Sequence, residues 1–324
     1  MAVDKTEVLL IGAPKPVIVN GLAPFTVQRF NDVTDRAKFF TEVAPRLRAI
    51  ACTATSERID GPFMSKFPKL EIVSSFGVGY DHIDAAWAGE HGIAVTNTPN
   101  VLTEEVADTA LGLLLNTVRE FPQAERYLRK GLWPEKAYPL SKATLRNRTV
   151  GLIGMGRIGQ AIARRLDAMK VPVVYHSRRP AAGVSYRHYP KLLDMARDAK
   201  VLLAITPGGS ETKNLINAEV LAALGPEGIL INMARGSVVD EPALIEALKN
   251  RTIYSAGLDV FAKEPHVPQE LLEMDHIVLF PHLGSSTEVT RAAMDQLVVD
   301  NILAWAAGKP PLTPVPETPF PPKR

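Results

Sequence analysis

Three side chains with complementary chemistry follow consecutive apolar runs late in the chain. Arg235 follows "GILINMA", Glu264 comes after "YSAGLDV", and His282 ends "IVLFPH". If these runs are parallel strands, their carboxyl ends open onto one crevice of the sheet. There an arginine can bind the carboxylate and carbonyl oxygens of a 2-oxoacid, a histidine can protonate the carbonyl oxygen, and a glutamate can favour the charged imidazole. Each residue alone could be a solvated surface group, but their joint placement predicts hydride reduction of a 2-oxoacid.

A glycine-rich turn supplies the place for a hydride carrier. Gly154, Gly156 and Gly159 form G-x-G-x-x-G between the apolar run "TVGLIG" and the amphipathic stretch "RIGQAIARRL". The first glycine allows a tight turn, the second lets a pyrophosphate approach the backbone, and the third lets the helix pack against the strand. Arg157 and Ile158, in the same turn, are expected to contact the cofactor because the amides that begin a helix face bound phosphates. A glycine turn without a ligand is the competing interpretation.

The stretch "VPVVYHSRRP" predicts which dinucleotide binds. NAD-binding folds place an acidic residue near this position to hold the ribose hydroxyls, whereas this chain has His176, Ser177, Arg178 and Arg179. Two guanidinium groups and a hydroxyl suit a 2′-phosphate. The alternative is a solvated turn. The sequence therefore predicts NADP(H) as the cofactor, with NAD(H) bound more weakly.

Further polar residues fit the same chemistry. Asp259, which follows "YSAGL", could orient the nicotinamide carboxamide. In the first third of the chain, "SSFGVGYDHID" contains Gly77 and Gly79, whose exposed amides could receive a substrate carboxylate; an ordinary turn between a strand and a helix is the alternative. Trp133, in "KGLWP", is either a packing residue or a lid that faces the substrate. Pocket volume should depend on Trp133 and on the 53–56 loop.

These residues need a framework of alternating strands and helices. Apolar runs in the first third predict four strands ("EVLLIG", "LRAIACTA", "LEIVSSFG", "IAVTNTP"). A second series of six predicted strands begins with "TVGLIG". Amphipathic stretches lie between them, as expected for an α/β protein with parallel sheets. One long helix is predicted from Thr103, as N-cap, through "EEVADTALGLLLNTVREFPQAERYL". Leu111, Leu114, Leu115 and Val118 form its apolar stripe, and Ala110 and Leu113 widen it, so burial on more than one side is expected. The proline-rich end, "KPPLTPVPETPFPPKR", is expected to lie extended over the surface.

The predicted organisation is two α/β domains, each a parallel sheet flanked by helices. A flavodoxin-like substrate-binding domain takes residues 1–99 and 290–324, and a Rossmann dinucleotide-binding domain takes residues 100–289. The first domain is discontinuous because the last helix, "STEVTRAAMDQLVVDNILAWAAG", comes too late to belong to the six-strand unit. A chain of 324 residues is long enough for two such cores.

Composition narrows the partners and the compartment. The chain is 46% hydrophobic and 22% charged, with a formal net charge of only +2, so no broad basic field favours nucleic acid or a membrane surface. Cys52 is the one cysteine, which excludes an internal disulfide and favours a reducing, cytoplasmic location. The start, "MAVDKTEVLLIGAPKP", reads as a first strand rather than a signal peptide. No paired histidine spacing indicates a metal site.

Taken together, the segments closely resemble the D-isomer-specific 2-hydroxyacid dehydrogenase family. The motifs that carry the resemblance occur in family order over most of residues 70–290: "FGVGYDHID", "TEEVADTALGLLL", "VGLIGMGRIGQAIARRL", "INMARGSVVDEPAL", "AGLDVFAKEP" and "PHLGSS". The resemblance implies a catalytic set of Arg235, Glu264 and His282 and backbone contacts from Val78 and Gly79 to the substrate. The cofactor contacts expected beyond the glycine turn and the Ser-Arg-Arg stretch are Thr206, Pro207, Ala234, Asp259, His282 and Gly284.

The resemblance also implies an assembly. Family members are usually dimers built around the long helix, here 103–120, and in related reductases a loop tryptophan reaches the partner's active site. Trp133 lies in the similar loop, so it is a candidate substrate contact. The departure from NAD-using relatives is His176, which stands where they have an aspartate.

Within the family, "YHSRRP", "LGPEGILINMARG" and "FAKEPHVPQELL" are most similar to glyoxylate, hydroxypyruvate and hydroxyphenylpyruvate reductases. The expected reaction is NADPH-dependent reduction of glyoxylate to glycolate and of hydroxypyruvate to D-glycerate. Hydroxyphenylpyruvate or another bulky 2-oxoacid is the alternative substrate. Two further alternatives are a non-catalytic dinucleotide-sensing protein of the corepressor type and a short 3-phosphoglycerate dehydrogenase.

Overall fold

The computed structural model describes residues 6–53 and 57–320. It divides the chain into one unit of Met1–Leu102 with Thr287–Arg324 and a second of Thr103–Ser286. The chain passes from one unit to the other between residues 102 and 103 and again between residues 286 and 287. The boundaries expected from the sequence were 99/100 and 289/290. None of the helices in the described ranges is long and apolar enough to cross a membrane.

Strands and helices alternate along both units. The strands are β1 (Glu7–Ile11), β2 (Thr26–Arg29), β3 (Leu47–Cys52), β4 (Ile72–Ser75), β5 (Ala94–Thr96), β6 (Val150–Ile153), β7 (Val173–His176), β8 (Arg187–Tyr189), β9 (Val201–Ala204), β10 (Ile229–Asn232), β11 (Ser255–Leu258) and β12 (Val278–Leu279). The helices are α1 (Pro16–Gly21), α2 (Arg36–Glu42), α3 (Gly61–Met64), α4 (Ala85–Glu90), α5 (Thr103–Arg119), α6 (Phe121–Arg129), α7 (Arg157–Ala168), α8 (Leu192–Asp198), α9 (Ala218–Leu224), α10 (Glu241–Lys249), α11 (Gln269–Leu272) and α12 (Glu288–Ala306).

The first unit contains a five-stranded sheet in the order β2-β1-β3-β4-β5, with every neighbouring pair parallel. This is the flavodoxin-like order. The predicted strands correspond to β1, β3, β4 and β5, while β2 was not predicted. Its sequence, TVQR, has no fully buried residue, because β2 lies at the edge of the sheet.

The second unit contains a seven-stranded sheet in the order β12-β11-β10-β9-β6-β7-β8, again parallel throughout. Reading outward from β6, this is the doubly wound dinucleotide-binding order with one further strand at the β12 edge. All six predicted strands are present. The unpredicted strand is β8, whose sequence RHY is polar because it forms the opposite edge. The predicted α/β fold class is confirmed.

The long helix predicted from Thr103 is wrong in one respect, because it is two helices. α5 ends at Arg119, Glu120 adopts a left-handed conformation with φ 56°, and α6 begins at Phe121. Pro122 accounts for the break, since a proline lacks the amide needed to continue a helix and tolerates only its first turn. The predicted N-cap, Thr103, is the first residue of α5 itself.

The buried face of α5 also differs from the predicted stripe. Leu114 and Val118 are buried as expected, whereas Leu111 and Leu115 are only half-buried. Ala110 and Leu113, which were predicted to widen the stripe, are also buried. The buried residues of α5 are Val106, Ala107, Ala110, Leu113, Leu114, Thr117 and Val118. This face packs on the second sheet: a Cβ built at Gly257 of β11 would lie 2.4 Å from the Thr117 hydroxyl oxygen.

The described part of the proline-rich end, residues 309–320, contains bends and a turn and pairs with the first sheet. Pro314 bridges Thr96 in antiparallel fashion, and the Val315 amide donates to the Val95 carbonyl at 2.9 Å. Val315 is buried. The tail therefore covers β5, which would otherwise be an open edge of the first sheet.

Candidate active site and dinucleotide site

The glycine turn has the geometry that a pyrophosphate requires. Gly154 follows β6 with φ 108°, and a Cβ built there would lie 2.9 Å from the Ile205 carbonyl oxygen. A Cβ at Gly159 would lie 2.4 Å from the Gly154 carbonyl oxygen, so this glycine packs α7 against the turn. At Gly156, by contrast, a Cβ would meet no atom within 4 Å. The middle glycine thus opens to free space at the start of α7, where helix amides favour an anion.

Arg157 and Ile158 begin α7 directly after this opening. Thr206 lies on the other side of the turn, because a Cβ at Gly154 would come within 3.1 Å of its Cα atom. Pro207 follows, and its carbonyl oxygen accepts a hydrogen bond of 2.8 Å from the Thr212 hydroxyl. The residues at the ends of β6 and β9 therefore form one continuous rim, as neighbouring parallel strands must.

The Ser-Arg-Arg stretch follows β7 and is built as a turn. The Ser177 hydroxyl donates to the Arg179 carbonyl at 2.6 Å, and His188 of β8 contacts the Ser177 carbonyl at 2.9 Å. His176 contacts the Tyr189 carbonyl at 2.8 Å. Both arginine side chains are exposed to solvent.

An acidic partner lies beside one of these arginines. The Arg178 guanidinium forms an ion pair with the carboxylate of Glu211, which belongs to the short 3-10 turn Ser210–Thr212 after β9. Both side chains are mostly exposed, at 81% and 68%. The sequence indicated no acid near "SRRP", because Glu211 reaches the turn from a different loop.

His282 and Glu264 meet as the sequence predicts. The His282 Nδ1 atom lies 2.7 Å from Glu264 Oε2, and Glu264 Oε1 accepts a 3.0 Å hydrogen bond from the Phe261 amide. His282 has a left-handed backbone, with φ 53°. With Nδ1 held by Glu264, the Nε2 atom remains available for proton transfer. The His282 side chain is 48% exposed.

The Glu264 carboxyl is held in its charged form. Burial by itself would raise its pKa, but the hydrogen bond and charge of His282, the Phe261 amide and the charge of Arg235 together leave that pKa below its ordinary value. Glu264 therefore remains a carboxylate at neutral pH and can accept a hydrogen bond from the His282 ring.

Arg235 is half-buried at the end of β10 and is positioned by its own strand. Buried Asn232 accepts the Ala234 amide at 3.1 Å and donates to the Arg235 carbonyl at 3.0 Å. The Arg235 Nη1 atom donates to the buried Ala234 carbonyl at 2.8 Å. A Cβ on Gly236 would come within 1.9 Å of the Phe261 backbone, so only glycine lets the Arg235 loop approach the loop that carries Glu264.

Asp259 organises the turn that presents His282. Its carboxylate accepts the Leu283 amide at 2.6 Å and the Gly284 amide at 3.0 Å, while its carbonyl accepts the His282 amide at 2.9 Å. Burial raises the pKa of Asp259 above its ordinary value despite these amides. Gly284 is confined as well, since a Cβ there would lie 3.3 Å from Asp259 Oδ2. Asn232, Gly236 and this supporting role of Asp259 were not found from the sequence.

In the first unit, residues 77–80 form a loop after β4. Gly77 has φ 119°; its amide donates to the Thr98 hydroxyl at 2.9 Å, and its carbonyl accepts the Thr98 amide at 2.9 Å. The Val78 carbonyl accepts a 2.8 Å hydrogen bond from Asn97 Nδ2. The amides of Val78 and Gly79 donate to no other residue in the described ranges.

The remaining candidates divide between exposed and buried positions. Trp133 is 65% exposed, so it does not pack into the core of its own chain. Cys52 is buried in the core of the first unit, and burial raises the pKa of its thiol to about 12. Of the 53–56 loop, residues 54–56 lie outside the described residues. Within residues 6–53 and 57–320, no group of three or more His, Cys, Asp or Glu side chains could hold a metal ion.

The doubly wound sheet, the open glycine turn and the Arg-Glu-His set define a dinucleotide-binding dehydrogenase. The sequence profile described as "D-isomer specific 2-hydroxyacid dehydrogenase, NAD binding domain" matches residues 111–284. The chain therefore belongs to the D-isomer specific 2-hydroxyacid dehydrogenase family, which confirms the resemblance in its motifs.

Individual relatives cover nearly the whole chain. A glyoxylate/hydroxypyruvate reductase of Arabidopsis thaliana is 43% identical over 291 residues, which are 90% of this chain and 92% of that protein. A hydroxyphenylpyruvate reductase of Plectranthus scutellarioides is 43% identical over 277 residues, 86% of this chain and 88% of that one. Among solved structures, an NADPH-dependent glyoxylate/hydroxypyruvate reductase of Sinorhizobium meliloti in complex with NADP and malonate is 48% identical, with a TM-score of 0.90 over 98% of this chain and 99% of that chain.

Proposed function

We propose that this protein reduces small 2-oxoacids with NADPH, converting glyoxylate to glycolate and hydroxypyruvate to D-glycerate. The observation that carries the proposal is the 2.7 Å contact between His282 Nδ1 and Glu264 Oε2, on strand-end loops of a dinucleotide-binding sheet. A charged imidazole held in this way is a proton donor, which reduction of a carbonyl requires. The names of the Arabidopsis and Sinorhizobium relatives support the same reaction.

The residues divide the work according to their chemistry. When bound, NADPH supplies the hydride. The Arg235 guanidinium binds the substrate's carboxylate and carbonyl oxygens and stabilises the negative charge that develops on the latter. His282 Nε2 gives its proton to that oxygen, while the contact of Glu264 with Nδ1 orients the imidazole. Asp259 fixes the turn that presents His282, and its contact with the nicotinamide carboxamide stays a prediction.

The substrate's carboxylate is assigned to the amides of Val78 and Gly79. These amides make no hydrogen bond to another described residue, and two adjacent amides suit an anion. Trp133 is proposed as a further substrate contact because its ring is exposed rather than packed.

NADP(H) is held by the glycine turn and by Ser177, Arg178 and Arg179. The free space at Gly156 fits the approach of a pyrophosphate. The guanidinium groups suit the 2′-phosphate, and NADH, which lacks it, binds more weakly. Thr206, Pro207, Ala234 and Gly284 complete the proposed cofactor contacts.

Removing both guanidinium groups should change the cofactor preference. In the double variant Arg178→Ala/Arg179→Ala, the dissociation constant for NADPH should rise about 10- to 100-fold, because charged hydrogen bonds to phosphate are lost. The constant for NADH should change little. Fluorescence titration of the protein with each reduced cofactor measures both constants without turnover.

Two control variants sharpen this test. Arg197→Ala removes the same charge at the far end of α8, where Arg197 pairs with Asp194, and should leave both constants unchanged. Glu211→Gln removes the ion pair of Arg178, so it should lower the dissociation constant for NADPH. The decrease should be small, because an exposed ion pair contributes little free energy. A wild-type protein that binds NADH more tightly than NADPH would contradict the assignment.

Hydroxyphenylpyruvate is a second candidate substrate, favoured by the 43% identity to the Plectranthus enzyme. A panel of glyoxylate, hydroxypyruvate, hydroxyphenylpyruvate and 2-ketogluconate, assayed with NADPH and with NADH, tests the proposed function directly. A higher kcat/KM for the aromatic substrate would replace the first candidate, and no turnover of any member would overturn the enzymatic proposal.

We further propose that the protein is a cytoplasmic homodimer. Large apolar side chains are exposed in and after α6, which is unusual for a surface facing only water; they are Phe121, Leu128, Leu132, Trp133 and Leu140. Light scattering coupled to size exclusion measures the mass, and a 35.3 kDa particle would contradict the dimer.

A further inference from the structure

The C-terminal tail is connected to the 77–80 loop, to which the proposed function assigns the substrate's carboxylate. The tail runs along β5, and β5 leads directly into Asn97 and Thr98. These two residues hold the loop from behind, through the carbonyl groups of Gly77 and Val78.

Planarity of the peptide bond gives these contacts a consequence. The Val78 carbonyl and the Gly79 amide belong to one rigid peptide unit, so the hydrogen bond from Asn97 Nδ2 to that carbonyl fixes the direction of the Gly79 N–H. In the same way, the Thr98 amide holds the Gly77 carbonyl and thereby fixes the direction of the Val78 N–H. Both unused amides are oriented from the opposite side of their peptide planes.

Asn97 is in turn held by the tail. The Thr313 hydroxyl donates to the Asn97 carbonyl at 2.6 Å, and the Asn97 amide donates to the Thr313 carbonyl at 3.3 Å. Asn301 of α12 holds Thr313 in place, and the Asn301 side chain is completely buried. The backbone amide of Thr313 donates to Asn301 Oδ1 at 3.0 Å, and Asn301 Nδ2 donates to the Thr313 hydroxyl oxygen at 2.9 Å. A continuous path of hydrogen bonds therefore joins α12, the tail and the loop.

A second connection reaches the other end of the loop. The Tyr80 hydroxyl donates to Glu317 of the tail at 3.0 Å. Burial, together with Glu317, raises the pKa of Tyr80 to about 12, so the phenol is protonated at neutral pH and can donate this hydrogen bond.

We propose that Asn97, Thr98 and Thr313 are positioning residues that set the direction of the Val78 and Gly79 amides toward the substrate's carboxylate. The proposal rests on the proposed function, because it needs those amides to bind the substrate. The alternative is that the tail only stabilises the edge of the sheet, as Thr318 does through its hydrogen bonds with the Val95 amide and carbonyl.

Variants of the full-length protein separate the two roles. Asn97→Ala should raise the KM for glyoxylate, and the inhibition constant of oxalate, a carboxylate that cannot be reduced, about tenfold. Thr313→Val should raise both about threefold, and Thr313→Ser, which keeps the hydroxyl, should restore them. In all three variants kcat and the NADPH dissociation constant should stay near the wild-type values.

Thr318→Val is the matched control, since it removes a tail hydroxyl that bonds to β5 rather than to Asn97. It should lower the Tm and leave KM and the oxalate constant unchanged. The inference is overturned if Thr318→Val raises KM as much as Thr313→Val does, or if neither Asn97→Ala nor Thr313→Val changes KM. Wild-type protein that reduces no 2-oxoacid would instead overturn the proposed function itself, so the two failures are distinguishable.

Discussion

Replacing Arg235 by alanine is expected to lower kcat/KM for glyoxylate by about 10³-fold or more, the effect of removing a preorganised donor from a developing negative charge. The loss should appear in kcat as well as in KM, because the guanidinium interacts with the carbonyl oxygen more strongly as charge builds there. Steady-state kinetics with saturating NADPH measure both parameters.

The matched variant Arg235→Lys tests the geometry of this interaction. Lysine keeps the charge but loses the planar fork, so it should recover only part of the loss. The Tm of both variants should remain close to that of the wild type, since the loop is held by Asn232 and Gly236 rather than by the guanidinium alone. Arg235→Ala with wild-type kcat/KM would remove this residue from the mechanism.

The parts of the fold that could be predicted are those with buried, regular patterns. Central strands such as β6 and β10 are buried throughout, and the carboxyl end of β10 determines where Arg235 lies. The edge strands β2 and β8 could not be found in this way, because strands that contact one neighbour need few apolar side chains. Pro122 indicates the break before α6, but the apolar periodicity on either side of it favours one continuous helix.

Part of the candidate site could likewise be predicted from the sequence. Residue type and strand-end position suffice to predict that Glu264 and His282 meet, and the structure places them 2.7 Å apart. Contacts between distant loops leave no local pattern, which is why the Arg178 ion pair with Glu211 was missed. The same holds for Thr313, whose contact with Asn97 depends on the path of the tail rather than on either sequence neighbourhood.

Replacing His282 by asparagine should lower kcat for 2-oxoacid reduction by about 10²- to 10⁴-fold, the usual contribution of a positioned general acid. Asparagine is the variant of choice because His282 has φ 53°, a left-handed conformation that asparagine tolerates better than most residues. NADPH binding, followed by fluorescence, should change far less than kcat. A variant that retained wild-type kcat would exclude His282 as the proton donor.

The variant Glu264→Gln tests the other member of the pair that His282 forms with Glu264. Because the pKa of Glu264 lies below its ordinary value in the folded protein, its ion pair stabilises the fold above that ordinary value and the contribution is lost as pH falls through the lowered one. Glutamine keeps the size of the side chain but loses the charge that strengthens its contact with His282. We therefore expect kcat for reduction at neutral pH to be about 10- to 100-fold lower in Glu264→Gln. The wild-type protein should lose stability more steeply than the variant as the pH falls below about 4.5. If the wild-type protein and Glu264→Gln lost stability in parallel as the pH fell, the ion pair of Glu264 would not contribute this stability.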